Sequence, residues 1–305
     1  MSKAAERLVQ GAHSSGASGA RVYRGVDGSS GRWDTASAPA ASIIALLAVL
    51  GSADVAAIAM TGSDDPTTES SFNSGDNWPG GAQPVAGNDY ETGANRINTP
   101  LDNNDHTFEG DQLTVNGGVF VFKGTGVVTV NSVGGSDGLT LDGGRIGIGT
   151  VGTPTLSGLV TLQGTNTINA VAAARGLNIQ SRVTGTGGLS LESTAGSEGA
   201  VVLLNTANDY SGDTEVSTVS GNAAILRAGD AGVFSPDSDI IVNSGSRVEL
   251  DGFDNTIAGL AGDGTVENAS GTDAELSVQG GTNNDFTGTI QDGAGAGTLS
   301  ITKAG

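Results

Sequence analysis

"DIIVNSGSRVELDG", from Asp239 to Gly252, decides the fold. It holds two short apolar runs, parted by Asn-Ser-Gly and closed by Asp-Gly. In the second run Val248 and Leu250 point one way while Arg247 and Glu249 point the other, the period-two signature of a strand. Strands this short cannot fill two large packed sheets. Stacked as successive coils, however, each pairs with an equivalent above and below. Backbone groups are then satisfied along the stack, and the inward Val, Ile and Leu form a continuous ladder.

The same grammar extends in both directions. Towards the N-terminus lie "LTV" (Leu113–Val115), "VVTV" (Val127–Val130), "LTLDGG" (Leu139–Gly144), "LVTL" (Leu159–Leu162), "LSLES" (Leu189–Ser193) and "VVLL" (Val201–Leu204). Towards the C-terminus lie "ELSVQGG" (Glu275–Gly281), with Leu276 and Val278 inward, and "TLSIT" (Thr298–Thr302), with Leu299 and Ile301 inward. Gly, Asn and Asp fill the gaps because they accept the positive φ of tight bends. One phrase recurs: "NDYSGDTEV" from Asn208 and "NDFTGTIQD" from Asn284, 284 − 208 = 76 residues apart, as repeat architectures produce. "NAVAAARGL" (Asn169–Leu177) is the lone candidate for a helical turn after residue 60. The prediction is an all-β parallel β-helix, or β-solenoid, over residues 71–305. The rival is an antiparallel β-sandwich, which would show longer strands and two-residue hairpin turns.

Composition agrees. The 305 residues include 51 Gly but only 7 Pro and no Cys, which excludes collagen and a disulfide scaffold. Net charge is −20, and five of the 13 basic residues precede Ala40. Such a surface repels phosphate backbones and anionic lipid, so no nucleic acid partner is expected.

That basic leader runs into "ASIIALLAVLGSADVAAIA" (Ala41–Ala59), whose dense part, Ile43–Leu50, is far shorter than the roughly 20 residues of a membrane-crossing helix. Basic residues, a short apolar core and small A-x-A-like residues form a secretory signal pattern, with cleavage after Ala53 or Ala59. Residues 1–59 are thus read as a long, mostly disordered leader and 60–70 as a polar linker.

The region from Gly188 to Gly305 resembles the autotransporter-associated β-strand repeat of bacterial passenger domains. The residues that carry the likeness are "GGLSLES" (Gly187–Ser193), "NTANDYSGDTEV" (Asn205–Val216), "AAILRAG" (Ala223–Gly229), "SDIIVNSGSRVELDGFDNTIAGLAGDGTVEN" (Ser238–Asn268) and "TDAELSVQGGTNNDFTGTIQDGAGAGTLSITKAG" (Thr272–Gly305). "SFNSGDNWPGGAQPVAGNDYE" (Ser71–Glu91) looks like the opening segment of such secreted β-helices, with Trp78 and Pro79–Gly81 as a lid over the first coil. The resemblance implies a right-handed β-helix, secreted or presented at the bacterial cell surface. It also implies anchorage to the outer membrane through a region beyond residue 305, the chain stopping in mid-repeat.

No catalytic, metal or cofactor residue is expected. His13 lies in the leader, and His106 in "LDNNDHTFEG" (Leu101–Gly110) has no local serine to form a nucleophile–His–acid set. Acids such as Asp102, Asp105, Asp111, Asp142, Asp254 and Asp263 are scattered at turns, and Arg145, Arg175 and Arg182 lack an evident pairing with them. "GGSDGLTLDGG" (Gly134–Gly144) approaches a calcium-binding nonapeptide, but Asp137 and Asp142 fall out of register and read as turn formers. The expected role is a structural or adhesive scaffold displaying loops for weak multivalent contact with extracellular glycans or cell-surface ligands. The alternatives are a polysaccharide-cleaving β-helix enzyme, needing carboxylates and arginine gathered in a groove, and a glycan-binding module, needing exposed aromatics. For the latter, Phe72, Trp78, Tyr90, Phe108, Phe120, Phe122, Tyr210, Phe234, Phe253 and Phe286 are at hand.

Overall fold

The computed structural model describes residues 56–64, 71–130, 138–150, 152–169, 175–193 and 199–304. Met1–Val55 forms a unit separate from Ala56–Gly305 and lies outside the described residues, so the expected leader is not described. Asp137 and most of the candidate helical turn also lie outside, although Leu177, its last residue, begins a strand.

Ala56–Gly305 is a parallel β-solenoid of about 9 turns. Its strands pair in parallel throughout, which excludes the antiparallel sandwich. The antiparallel contact among the described residues is an isolated bridge, Val219 with Asn222. Aligned residues are one winding apart, from 266 − 248 = 18 residues (Val248 and Val266) to 90 − 58 = 32 (Ile58 and Tyr90).

Each winding contributes short strands to different faces. One face is an unbranched 8-stranded sheet that starts at Arg96–Asn98 and ends at Leu260–Gly262. Its inward column runs Ile97, Phe120, Ile146, Ile168, Leu191, Val216, Val242, each stacked on the next and none more than 1% exposed. A second column runs Leu177, Val201, Leu226, Val248, Val266 and reaches Ile290. One aliphatic side chain per rung is what a narrow coil can enclose, and the ladder converts that short-range pattern into a continuous core.

The best-aligned inward residues are where the alternation placed them: Val248, Leu250, Leu276 and Val278 are buried. Leu299 and Ile301 face the same way and pack on the core, yet stay half-exposed, since no described rung lies above them. "LVTL" belongs to a longer element, Thr155–Gln163, which turns a corner inside one strand. The bend sits at Gly158, where φ is +106°; a Cβ there would stand 2.3 Å from the Val130 carbonyl oxygen. Only glycine meets both demands.

Two boundaries differ from expectation. The solenoid starts ahead of residue 71: Ile58–Ala59 is already a strand on Tyr90–Glu91, Met60 is buried, and Asp64 accepts a hydrogen bond from the Asn98 backbone at 2.7 Å. These residues read as the tail of the apolar leader and a polar linker because a two-residue strand has no period of its own. A cut after Ala59 would remove that strand, whereas a cut after Ala53 would leave it. The echoed phrase is likewise not the structural repeat. After Tyr210 the chain enters Thr214–Thr218 on the 8-stranded face, but after Phe286 it enters Thr289–Gln291 on another.

Candidate functional site

Polar side chains in a solenoid either tie neighbouring rungs together or are left over. Several of the turn acids do the former. Asp105 accepts from the Val127 backbone at 2.8 Å, Asp111 from Gly87 at 2.9 Å, Asp254 from Glu275 at 2.7 Å and Asp273 from Thr298 at 2.8 Å. Each carboxylate satisfies a backbone N–H at a corner, about one winding away. Thr298 holds Asp273 below its ordinary value of 3.8 through its backbone and side-chain donors.

Asparagine does the same work inside. Asn208 is buried; its side-chain oxygen accepts from Val183 N at 2.7 Å and its amide donates to Val233 O at 2.7 Å. Asn255, two windings on from Asn208, likewise accepts from the rung before it, from Val233 N at 2.8 Å. Here side chains stand in for ladder bonds that the irregular backbone does not supply. The reading of asparagine as a turn residue missed this, and its signal was the spacing 233 − 208 = 25. A charged column was also missed. Arg227, Glu249, Glu267 and Gln291 align rung upon rung on an outward face, with Arg227 Nε 2.6 Å from Glu249 Oε2 and Arg247 3.1 Å from Glu249 Oε1. Glu249 is only 4% exposed despite pointing outward, because guanidinium groups close over it.

The aromatics fill the interior instead of offering a sugar-stacking surface. Eight of the ten are buried, Phe72 and Trp78 among them; Phe253 and Phe286 are partly buried against the core. Trp78 donates from Nε1 to the Phe72 carbonyl at 3.1 Å and meets Tyr90 edge-on at 4.8 Å.

His106 faces Asp102, Nε2 to Oδ1 at 2.6 Å, and that hydrogen bond holds the Asp102 carboxyl below its ordinary value. A triad would require a third, nucleophilic member. Asp142 is exposed at the end of Leu139–Asp142. Among the described residues no three His, Asp or Glu side chains are placed to hold a metal ion.

The leftover polar groups gather on the outer surface of the 8-stranded face. Arg96, Val119 and Arg145 are consecutive rungs of one outward column, which sets the two arginine backbones about 10 Å apart. In the adjacent outward column Val121 lies beside Gly147, and Gly147 beside Asn169. Arg175 arrives from the corner beyond Thr165–Asn169, pinned by an Nη1 hydrogen bond to the Ile148 carbonyl at 2.9 Å. Together with Gly149 these groups border an open cleft of about 410 Å³. Its floor is apolar and low, since Gly147 and Gly149 carry no side chain; its rim is cationic.

These arginines are partly engaged: Arg96 donates from Nε to Asn98 Oδ1 at 2.8 Å. Arg145 reaches Glu192 only at 3.7 Å, and Arg175 Nε is buried without a hydrogen-bond partner. Sequence reading singled out Arg145, Arg175 and Arg182. The structure brings the first two together with Arg96, which the sequence reading had not singled out, and sends Arg182 to an ion pair with Asp209. The clue was 145 − 96 = 49, two windings. On an acidic chain of this kind, a pocket lined by three arginines is a local reversal of charge.

The fold and this surface define the class: a parallel β-solenoid with rung-to-rung polar staples and a cationic side cleft. Comparison with family models, with curated proteins and with solved structures finds no match to this chain.

Proposed function

We propose that the chain is a structural scaffold exported to the bacterial surface, built like an autotransporter passenger and holding side-chain patches at fixed spacing for weak, multivalent contact. The observation behind it is the uninterrupted inward column from Ile97 to Val242, a one-dimensional stack whose stability accumulates rung by rung. The acidic turns support the same reading. The carboxylates of Asp105, Asp111, Asp254 and Asp273 are engaged by backbone N–H groups of adjacent rungs, an arrangement that serves stacking, not proton transfer. Export and outer-membrane anchorage rest on the sequence of the leader and on the passenger-like repeat.

Protease shaving of intact cells of the source bacterium tests the address. Release of solenoid fragments into the medium is expected. Recovery of the whole chain from the cytoplasm, untouched by protease, would overturn it.

A further inference from the structure

We propose that the cleft bounded by Arg96, Arg145 and Arg175 binds a saccharide ring bearing a single carboxylate, such as a terminal uronate residue. This deepens the surface-scaffold reading and rests on it for where such a ligand would be met, not for the binding itself. Three observations carry it. First, three guanidinium groups border one opening, Arg96 fixed by its Nε hydrogen bond to Asn98 Oδ1 at 2.8 Å and Arg175 by its Nη1 hydrogen bond to the Ile148 carbonyl at 2.9 Å. A planar donor fork matches a carboxylate in two-point contact better than any other side chain does. Second, the floor is Val119, Val121 and the bare backbone of Gly147 and Gly149, a low apolar strip suited to the C–H face of a ring. Third, the cleft holds about 410 Å³, within the range of small-molecule sites.

The net charge of −20 selects the ligand further. A dense polyanion such as nucleic acid is repelled by the chain as a whole. An isolated carboxylate on an otherwise neutral saccharide meets only the local cationic rim. Binding and not cleavage is expected, because no carboxylate is among the described residues lining the cleft, and Glu192, one rung beyond Asn169, faces Arg145 at 3.7 Å and accepts from the Asn169 amide at 3.2 Å.

The test is titration of the purified full chain with methyl glucuronoside, methyl glucoside and acetate, followed by calorimetry and by amide shifts in two-dimensional NMR. Methyl glucuronoside should bind and shift the Gly147 and Gly149 amides. Methyl glucoside should bind at least about tenfold more weakly, the loss expected when hydrogen bonds to a charged group are absent. Acetate, lacking the ring, should also be at least about tenfold weaker. Arg145→Gln and Arg175→Gln should each weaken the glucuronoside by about tenfold. Gly147→Ala supplies a control that leaves the charges alone. Its new Cβ would stand 3.5 Å from Val121 in ordinary contact, so the fold tolerates it while the floor rises; the glucuronoside should weaken and acetate should not. Glucuronoside binding no tighter than glucoside, or no tighter than acetate, would overturn the proposal. So would unchanged binding in folded arginine variants. Each of these failures leaves the cell-surface result untouched, so the two readings fail separately.

Discussion

The first described windings and the last described ones are covered in opposite ways. At the N-terminal end, Phe72, Trp78, Tyr90, Phe108 and Phe120 interlock, with Phe72 5.8 Å from Phe108 and Tyr90 edge-on to Phe108 at 5.5 Å. All five are buried. At the C-terminal end, Thr289–Gln291 is exposed along its length, Ile290 is 47% exposed, and Leu299 and Ile301 are half-covered. A stack of aliphatic rungs leaves an apolar cross-section wherever it stops. Bulky aromatics with a polar handle can close that cross-section, because one ring covers the area of several methyl groups and its N–H or O–H finds a partner at the edge. Trp78 uses the Phe72 carbonyl and Tyr90 the Val85 amide.

The comparison breaks most readily at Trp78. Trp78→Ala should cost about 3–5 kcal/mol, the usual range for an aromatic removed from a packed core. Chemical denaturation should show a lower midpoint, and proteolysis should start near Tyr90. A cost under about 1 kcal/mol would mean that the rings only decorate the first winding. The next largest effect belongs to the middle of the stack. Asn208→Ala leaves Val183 N and Val233 O without their partners. Two buried orphaned groups at about 1–3 kcal/mol each predict a loss of roughly 3 kcal/mol, with faster amide exchange at Val183.

Much of the rung pattern was legible, and the reason is local. A strand such as Arg247–Glu249 carries its in-out alternation within a few residues, so Val248 and Leu250 identify themselves. What joins one winding to the next is not local. The bonds of Asn208 to Val183 and Val233 and the pairing of Glu249 with Arg227 follow from the winding length, which ranges from 18 to 32 residues along the chain. Without that length no spacing could be converted into a neighbour. The cleft suffered most, since Arg96, Arg145 and Arg175 converge only after two windings and a corner are counted. The opening segment was legible only through its resemblance, and Trp78 is a buried side chain between the first two paired strands, Ile58–Ala59 and Tyr90–Glu91.

Acid should act on both regions together. Asp102, near the aromatic end, is held below its ordinary value of 3.8 by the His106 hydrogen bond, and Asp273, near the other, by Thr298. Between them, burial pushes Asp209 up, but hydrogen bonds from Thr184 and Arg182, with the Arg182 charge, prevail and hold it low. A carboxylate depressed in the folded state contributes its stability in full above its unfolded value. That contribution fades as pH falls through the folded value. The melting temperature should therefore hold from neutrality to about pH 5 and drop below about pH 4. Asp102→Asn, Asp209→Asn and Asp273→Asn combined should flatten the drop. An unchanged slope would show that these corner contacts contribute nothing to the stack.

The smallest effect is expected at Ile290, and it sharpens the comparison best. Ile290 ends the same inward column that contains Leu226, so the two differ in position far more than in chemistry. Leu226 is 1% exposed and has a rung on either side, so Leu226→Ala should cost about 2–5 kcal/mol. Ile290 has a rung on one side only, and half of its surface already meets water. Its contribution scales with the apolar area it hides, which puts Ile290→Ala near 1 kcal/mol or less. Equal costs for the two substitutions, measured by denaturation at several protein concentrations, would mean that the last rung is covered in solution. A cost for Ile290→Ala that grows with concentration would identify the cover as a second copy of the chain. A small, concentration-independent cost would leave the contrast standing, between a side chain with a rung on either side and one with a rung on one side only.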